Sequence, residues 1–391
     1  MEKFFGYDEE YLKKITGYIT AKEIRQQPRL WKETLDIVKR NKDSIDSFLN
    51  HILKKDKIRI IFTGAGTSAF VGESVVPYLN KKYPGKFESI ATTDIVTNPE
   101  NYLFSAIPTL LISFARSGNS PESIATVDLA KQIVNEVYQI VITCNPEGSL
   151  AKKTQNDPNS LLLLMPEDSN DQGFAMTGSF SSMTLAALLL FENLEEIEQE
   201  IKLIIGNGEK ILDKMAPLIK DLAENDFERI IYLGSSSLKG LATESALKTL
   251  ELTNGELIAT YESSLGLRHG PKTMINNQTL IVSYISNNAY TRKYEIDLLK
   301  ELASEKNYHK LIAVSSDKNE EIESLVDNYF YISDQGKVYK DDVYLIFNYV
   351  LIAQMFSFFK SIQLGHTPDN PCPDGSVNRV VKGVIIHPYN K

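Results

Sequence analysis

The chain has 391 residues, 42% of them hydrophobic and 24% charged, with two cysteines. That is roughly two to three times a typical domain, with enough apolar content to bury a sizeable core, which excludes a disordered chain or a fibre. Acidic residues outnumber basic ones by 51 to 42, for a formal charge of −9; with no basic domain or stripe, this argues against a nucleic-acid partner.

The amino terminus, MEKFFGYDEEYLKK, carries acids where a secretion signal needs a basic segment and an apolar core. A cytoplasmic location is expected. Residues 1–49 form a helical segment containing TAKEIRQQPRLWKET. RIIFTG at 59–64 then predicts a buried strand, and GAGTS at 64–68 follows it. Gly66 permits close backbone approach, Thr67 and Ser68 offer hydroxyls, and the start of a helix offers unpaired amides, a combination suited to an anion. The loop is neither a P-loop, having no GK[ST], nor the GxGxxG dinucleotide fingerprint.

A second strand, TLLISF at 109–114, leads into ARSGNSPES at 115–123. Ser120 is placed to be an N-cap and Pro121 the first helical residue. Ser117, Asn119 and Ser120 can aim donors at an oxyanion, and Arg116 adds charge. The alternative is an ordinary capped helix; two such loops at consecutive strand ends favour a phosphate or sulfate pocket. QIVITCN at 139–145 predicts a third strand, and the charged helical stretch 192–225 serves as a connection.

The pattern then repeats at an offset of roughly 170 residues. RIIYLG at 229–234 matches RIIFTG, TLIVSY at 279–284 matches TLLISF, and KLIAVSS at 310–316 matches QIVITCN. Short apolar strands alternating with helices predict a tandem α/β protein: two doubly wound, parallel, three-layer α/β/α domains at 50–205 and 206–365, flavodoxin-like in kind. The second copy has SNNAY at 286–290 in place of RSGNS, so it is expected to have lost the phosphate loop. The apolar run at 344–359 contains Asn348 and Gln354 and reads as a buried helix, with no membrane partner expected. The tail, 366–391, is rich in Pro, Gly and Asn and predicts irregular backbone.

In the second half ATESALKTLELT at 242–253 puts Glu244, Lys248 and Glu251 on one helix face. Such a triplet is either a solvated salt-bridge stripe or an acid–base group. SSLGLRHGP at 263–271 adds His269, one of five histidines. Carboxylates and a histidine opposite a phosphate pocket suit proton transfer on a sugar phosphate. Neither cysteine has metal-ligand spacing, and no metal or other cofactor is expected.

At GTS (66–68), SGNS (117–120), ESALKTLE (244–251) and RHGP (268–271), the chain resembles the sugar isomerase (SIS) family in its tandem form, related to the isomerase half of glucosamine-6-phosphate synthase. Its opening and its tail, TPDNPCPDGSVNRVVKGV, are similar to the AgaS branch of galactosamine-6-phosphate deaminases and tagatose-6-phosphate ketose/aldose isomerases. The resemblance implies phosphate binding by Thr67, Ser68, Ser117 and Ser120, with Ala115 and Arg116 replacing a serine and a glutamine. It makes Glu251 the base between C1 and C2, Lys248 its neighbour and His269 the ring-opening group. That histidine enters from a partner subunit in the family, which implies a homodimer with a shared site. Lys382 corresponds to a carboxyl-terminal lysine, and Asp171 is a weaker candidate. The implied reaction is deamination of an amino-sugar phosphate, with isomerisation of a neutral sugar phosphate, sugar-phosphate sensing without catalysis and an inactive scaffold as alternatives.

Overall fold

The protein, a computed structural model, is described for residues 3–390 except Asp56, Asn156, Asp334, Gln335, Lys337, Val338 and Lys382. It divides into two units. The first comprises Arg29–Asp171, Gly178–Ile197 and Asp374–Lys391; the second comprises Met1–Pro28, Gln172–Thr177 and Glu198–Pro373.

The first unit holds a five-stranded parallel sheet. Its strands are β1 (Arg59–Thr63), β2 (Phe87–Ser89), β3 (Thr109–Ala115), β4 (Val137–Thr143) and β5 (Ser160–Leu164), in the spatial order β2-β1-β3-β4-β5. The second unit repeats this with β6 (Arg229–Leu233), β7 (Ile258–Glu262), β8 (Thr279–Tyr284), β9 (Lys310–Asp317) and β10 (Asn328–Ser333), ordered β7-β6-β8-β9-β10. Arg59 and Arg229 open matching strands, as do Thr109 and Thr279, both pairs 170 positions apart. The doubly wound architecture is therefore present twice, with a topological switch point between the first and third strands of each sheet. Ligands of such sheets bind beyond the carboxyl ends of the strands at that point.

The central strands are continuous apolar runs because both faces are covered. All seven residues of β3 are buried. Ile61 and Leu111 pack with Leu129 and Ile133 of helix α2 (Pro121–Ile133) in the first unit, and Ile231 and Ile281 pack with Leu298 and Leu302 in the second. The 344–359 segment is helix α6 (Leu345–Gln363), long and apolar enough by composition to cross a membrane, yet buried inside its unit as expected. Both cysteines are free and buried, and burial pushes the Cys144 thiol up to about 12. No helix or strand follows Gln363 among the described residues, in line with the predicted irregular tail.

The duplication extends to the backbone of the first turn. A Cβ on Gly64 would lie 2.6 Å from the Ser68 backbone, and one on Gly234 would lie 2.2 Å from the Leu238 oxygen, so both turns require glycine. Helix α1 (Thr67–Lys82) begins after Gly66 at φ 54°, ψ −130°; helix α4 (Ser237–Leu252) begins after Ser236 at φ 54°, ψ −125°. A serine has thus inherited a conformation suited to glycine. Its exposed side chain makes no capping hydrogen bond. Strain of this kind costs about 1–3 kcal/mol, more than the extra chain entropy of a glycine, about 0.5–1 kcal/mol. Ser236→Gly is expected to raise the thermal midpoint by about 2–4 °C; a lower midpoint in calorimetry would show that the serine is not strained.

Candidate active site

In the first unit the loops after β1 and β3 flank the switch point. Thr67 and Ser68 are buried in the first turn of α1, after Gly66. Ser120 occupies the N-cap position of α2 and Pro121 its first turn, as the spacing predicts, but the Ser120 hydroxyl pairs with Ser123 Oγ at 2.7 Å and caps no amide. Between them, the N–H groups of Ser117, Gly118 and Ser120 have no acceptor among the described residues. An anion that accepts from several backbone amides would satisfy them. The loop is held from below. Asn145 donates its amide to the Ser117 carbonyl at 2.9 Å, and the Asn119 side-chain oxygen accepts from Ser149 N at 3.0 Å. Asn119 thus uses its oxygen as a brace.

Arg116 is buried, and its guanidinium donates to the carbonyl of Arg379 in the tail at 2.7 Å. Arg379 in turn donates through Nε to the Asp171 carbonyl at 3.0 Å. Asp171, also fully buried, caps helix α3 (Gly178–Leu189): its carboxylate accepts from Gly178 N at 3.0 Å and from Ser179 N at 2.9 Å. These bonds give Asp171 a structural task at the edge of the loop. Lys382 lies outside the described residues.

In the second unit Glu244, Lys248 and Glu251 share one face of α4, which is turned inward. Glu244 and Lys248 are fully buried, while the Glu251 side chain keeps 25% of its exposure. Lys248 hydrogen-bonds to Glu251 and lies 3.6 Å from a Glu244 oxygen. This is not a solvated salt-bridge stripe. Burying an ammonium costs several kcal/mol unless it is paired, so the two carboxylates and the lysine hold one another in place. One carboxylate of the set reaches solvent and can exchange a proton with a ligand.

His269 follows a single turn, Gly266–Arg268, and is exposed; its ring has no hydrogen-bond partner among the described residues. Gly270 takes φ +119°, which turns the chain sharply after it. The flanking cations tie this loop to helix α5 (Ala289–Glu305): Arg268 pairs with Glu301 at 2.6 Å, and Lys272 pairs with Glu301 and, at 2.6 Å, with Glu305. The two flanks are fixed while the imidazole between them points into solvent.

A family model described as the SIS domain matches residues 52–193. D-galactosamine-6-phosphate deaminase AgaS of Escherichia coli is 42% identical over 379 residues, 96% of this chain and 97% of that protein. The chain belongs to the AgaS family. A solved structure from Clostridium novyi NT, provisionally named a tagatose-6-phosphate ketose/aldose isomerase, is 52% identical and superposes over 100% of both chains with a TM-score of 0.98. The tagatose-6-phosphate ketose/aldose isomerase of Escherichia coli superposes with a TM-score of 0.87 at 39% identity, covering 96% of this chain and 98% of that one. Proteins of the AgaS family are enzymes, and this chain is one of them.

Several residues around the loops of this AgaS-family chain escape sequence reasoning. Asn145 reads only as the end of a strand, and Arg379 acts partly through its carbonyl, which side-chain chemistry cannot signal. Gly148 is as demanding as any: a Cβ there would stand 2.5 Å from the Ser117 oxygen and 3.1 Å from the Gly118 Cα. Overpacking of this sort costs about 1–3 kcal/mol. Gly148→Ala is therefore expected to weaken inorganic phosphate binding about tenfold, read by calorimetric titration; unchanged affinity would remove the 117–120 loop from the site.

Proposed function

We propose that this chain catalyses the deaminating isomerisation of an amino-sugar 6-phosphate, galactosamine 6-phosphate plus water to tagatose 6-phosphate plus ammonia. The observation that carries the reading is the buried lysine of α4, paired to a carboxylate that remains open to solvent. The identity to named galactosamine-6-phosphate deaminases supports the substrate class.

In this reading the substrate phosphate accepts from the open amides of Ser117, Gly118 and Ser120 and from the hydroxyls of Thr67 and Ser68, with Arg116 adding positive charge. His269 carries the protons that open the sugar ring. Glu251 removes the C2 proton and returns it to C1, leaving a ketimine at C2. Water adds at C2, ammonia departs with the bonding pair, and the ketose phosphate remains; the net change is hydrolytic. Lys248, held between Glu244 and Glu251, stabilises negative charge on the enolamine intermediate. Lys382 in the tail is a further candidate for that role. The work is done by a homodimer in the cytoplasm, and the exposed, unpartnered ring of His269 is what a side chain serving the partner's site requires.

A second reading, isomerisation of a neutral ketose or aldose 6-phosphate by the same base, is favoured by the names of the two solved structures. Purified protein separates the two. Ammonium release from galactosamine 6-phosphate is expected, and Glu251→Gln should lower it by about 10²- to 10⁴-fold with little change in inorganic phosphate affinity. Absence of ammonium together with turnover of tagatose 6-phosphate would overturn the deaminase reading.

The shared site is tested by mixing. His269→Ala and Glu251→Gln proteins, each inactive alone, are expected to regain part of the activity after joint unfolding and refolding, because a mixed dimer has one complete site. No recovery from a dimer that demonstrably mixes would assign His269 to its own chain's site.

A further inference from the structure

The switch point of the second unit has the same strand order as the first but a different chemical state. After β8 the chain runs Ser286-Asn287-Asn288, the counterpart of the loop after β3. Where the first unit leaves amides open, every one of these three is closed. Ser286 N donates to Glu295 Oε2 at 2.8 Å, Asn287 N to Asp342 Oδ1 at 2.6 Å, and Asn288 N to Ser286 Oγ at 2.9 Å. The Ser286 hydroxyl completes the set by donating to the other Asp342 oxygen at 2.5 Å.

Asp342 thus receives a backbone amide and a serine hydroxyl at neighbouring positions, the pair of donors that a phosphate oxygen would take from such a loop. It comes from the turn just before α6 and is 9% exposed; Glu295, on α5, is fully buried. The floor is braced too: Arg292 donates to the Ser286 carbonyl at 2.8 Å and pairs with Asp317 at 2.9 Å, and the Asn287 amide donates to the Tyr339 carbonyl at 3.0 Å. Burial, with Asp342's charge as a lesser cause, pushes Glu295 up to about 7 against the opposing pull of Ser286 N. The far oxygen of Glu295, Oε1, is buried with no hydrogen bond.

We infer that the second unit retains an oxyanion cradle whose ligand has been replaced by the chain's own Asp342 carboxylate, backed by Glu295, so that each chain takes one phosphate group and removal of that carboxylate opens a second site for a small oxyanion. The count of one rests on the first-unit phosphate reading; the latent site does not. The two loops share an ancestor but not an occupant: one recruits its anion from solution, the other carries it covalently on a neighbouring turn. An attached carboxylate has a high effective concentration and excludes competitors without being titrated away by dilution.

Equilibrium binding of inorganic phosphate tests this with four proteins. The unaltered protein is expected to bind one equivalent per chain, and Asp342→Ala two. Asp342→Asn, which keeps an oxygen for Asn287 N and fills the space, should bind one. Thr67→Ala/Ser68→Ala/Asp342→Ala, which removes the two hydroxyl donors of the first-unit loop, should lose the original equivalent and keep the new one. Two equivalents on the unaltered protein, or one on a folded Asp342→Ala, would overturn the inference. Persistence of both equivalents in the triple variant would instead count against the first-unit phosphate reading. Should Asp342→Ala prove too unstable for titration, thermal melts decide: phosphate or formate at about ten times its dissociation constant should raise its midpoint by about 3 °C more than that of the unaltered protein, and an equal rise in both would refute the cradle.

Discussion

The backbone N–H groups at the carboxyl ends of the parallel strands are the constraint on which everything else here turns. A strand that stops at a switch point leaves amides beyond the last rung of its ladder, and the protein interior does not tolerate them unsatisfied. The two units meet that demand in opposite ways. After β3, Ser117, Gly118 and Ser120 stay open, with Asn145 and Asn119 fixing the loop so that it does not collapse onto its own donors. After β8, Asp342 and Glu295 have moved in. Only the first arrangement has donors to spare for a ligand.

Helix α4 solves a second problem of burial. A lysine with no exposure is stable as an ion only beside carboxylates, and Glu244 and Glu251 supply them from one turn on either side. The pairing has a geometric result, because Glu251 lies at the helix end, where its side chain is partly exposed. A partly exposed carboxylate is thereby oriented by its own helix.

Much of this was legible in the sequence, and what was not has physical reasons. The six central strands could be read because burial on both faces makes them continuous apolar runs, as in TLLISFA. The edge strands could not: Phe87–Ser89 is three residues long, and Ile258–Glu262 is half exposed and mixed in character. Thr67, Ser68, Ser117 and Ser120 were visible through their position after apolar strands. Spacing alone could not tell whether Glu244, Lys248 and Glu251 faced water or the interior, since both cases need the same i, i+4, i+7 pattern; the packing of α4 decided it. Asp342 was hidden because it acts from 55 residues beyond the amide it satisfies. Arg379 was hidden because its carbonyl does part of the work, and no residue type announces that.

The chain path has a consequence for how the protein is assembled. Residues 374–391 return to the first unit after the second has been completed, and there Tyr389 hydrogen-bonds to Glu100 at 2.6 Å while Gln132 donates to the Tyr389 carbonyl at 2.8 Å. The first 28 residues, conversely, belong with the second unit. Neither compact unit is therefore a contiguous stretch of polypeptide. During synthesis the loop that holds Arg116 emerges some 260 residues before the carbonyl that Arg116 will grip, so this brace forms only after the strands of both sheets have been made. A nascent chain cannot close this contact while helix α4 is still being made.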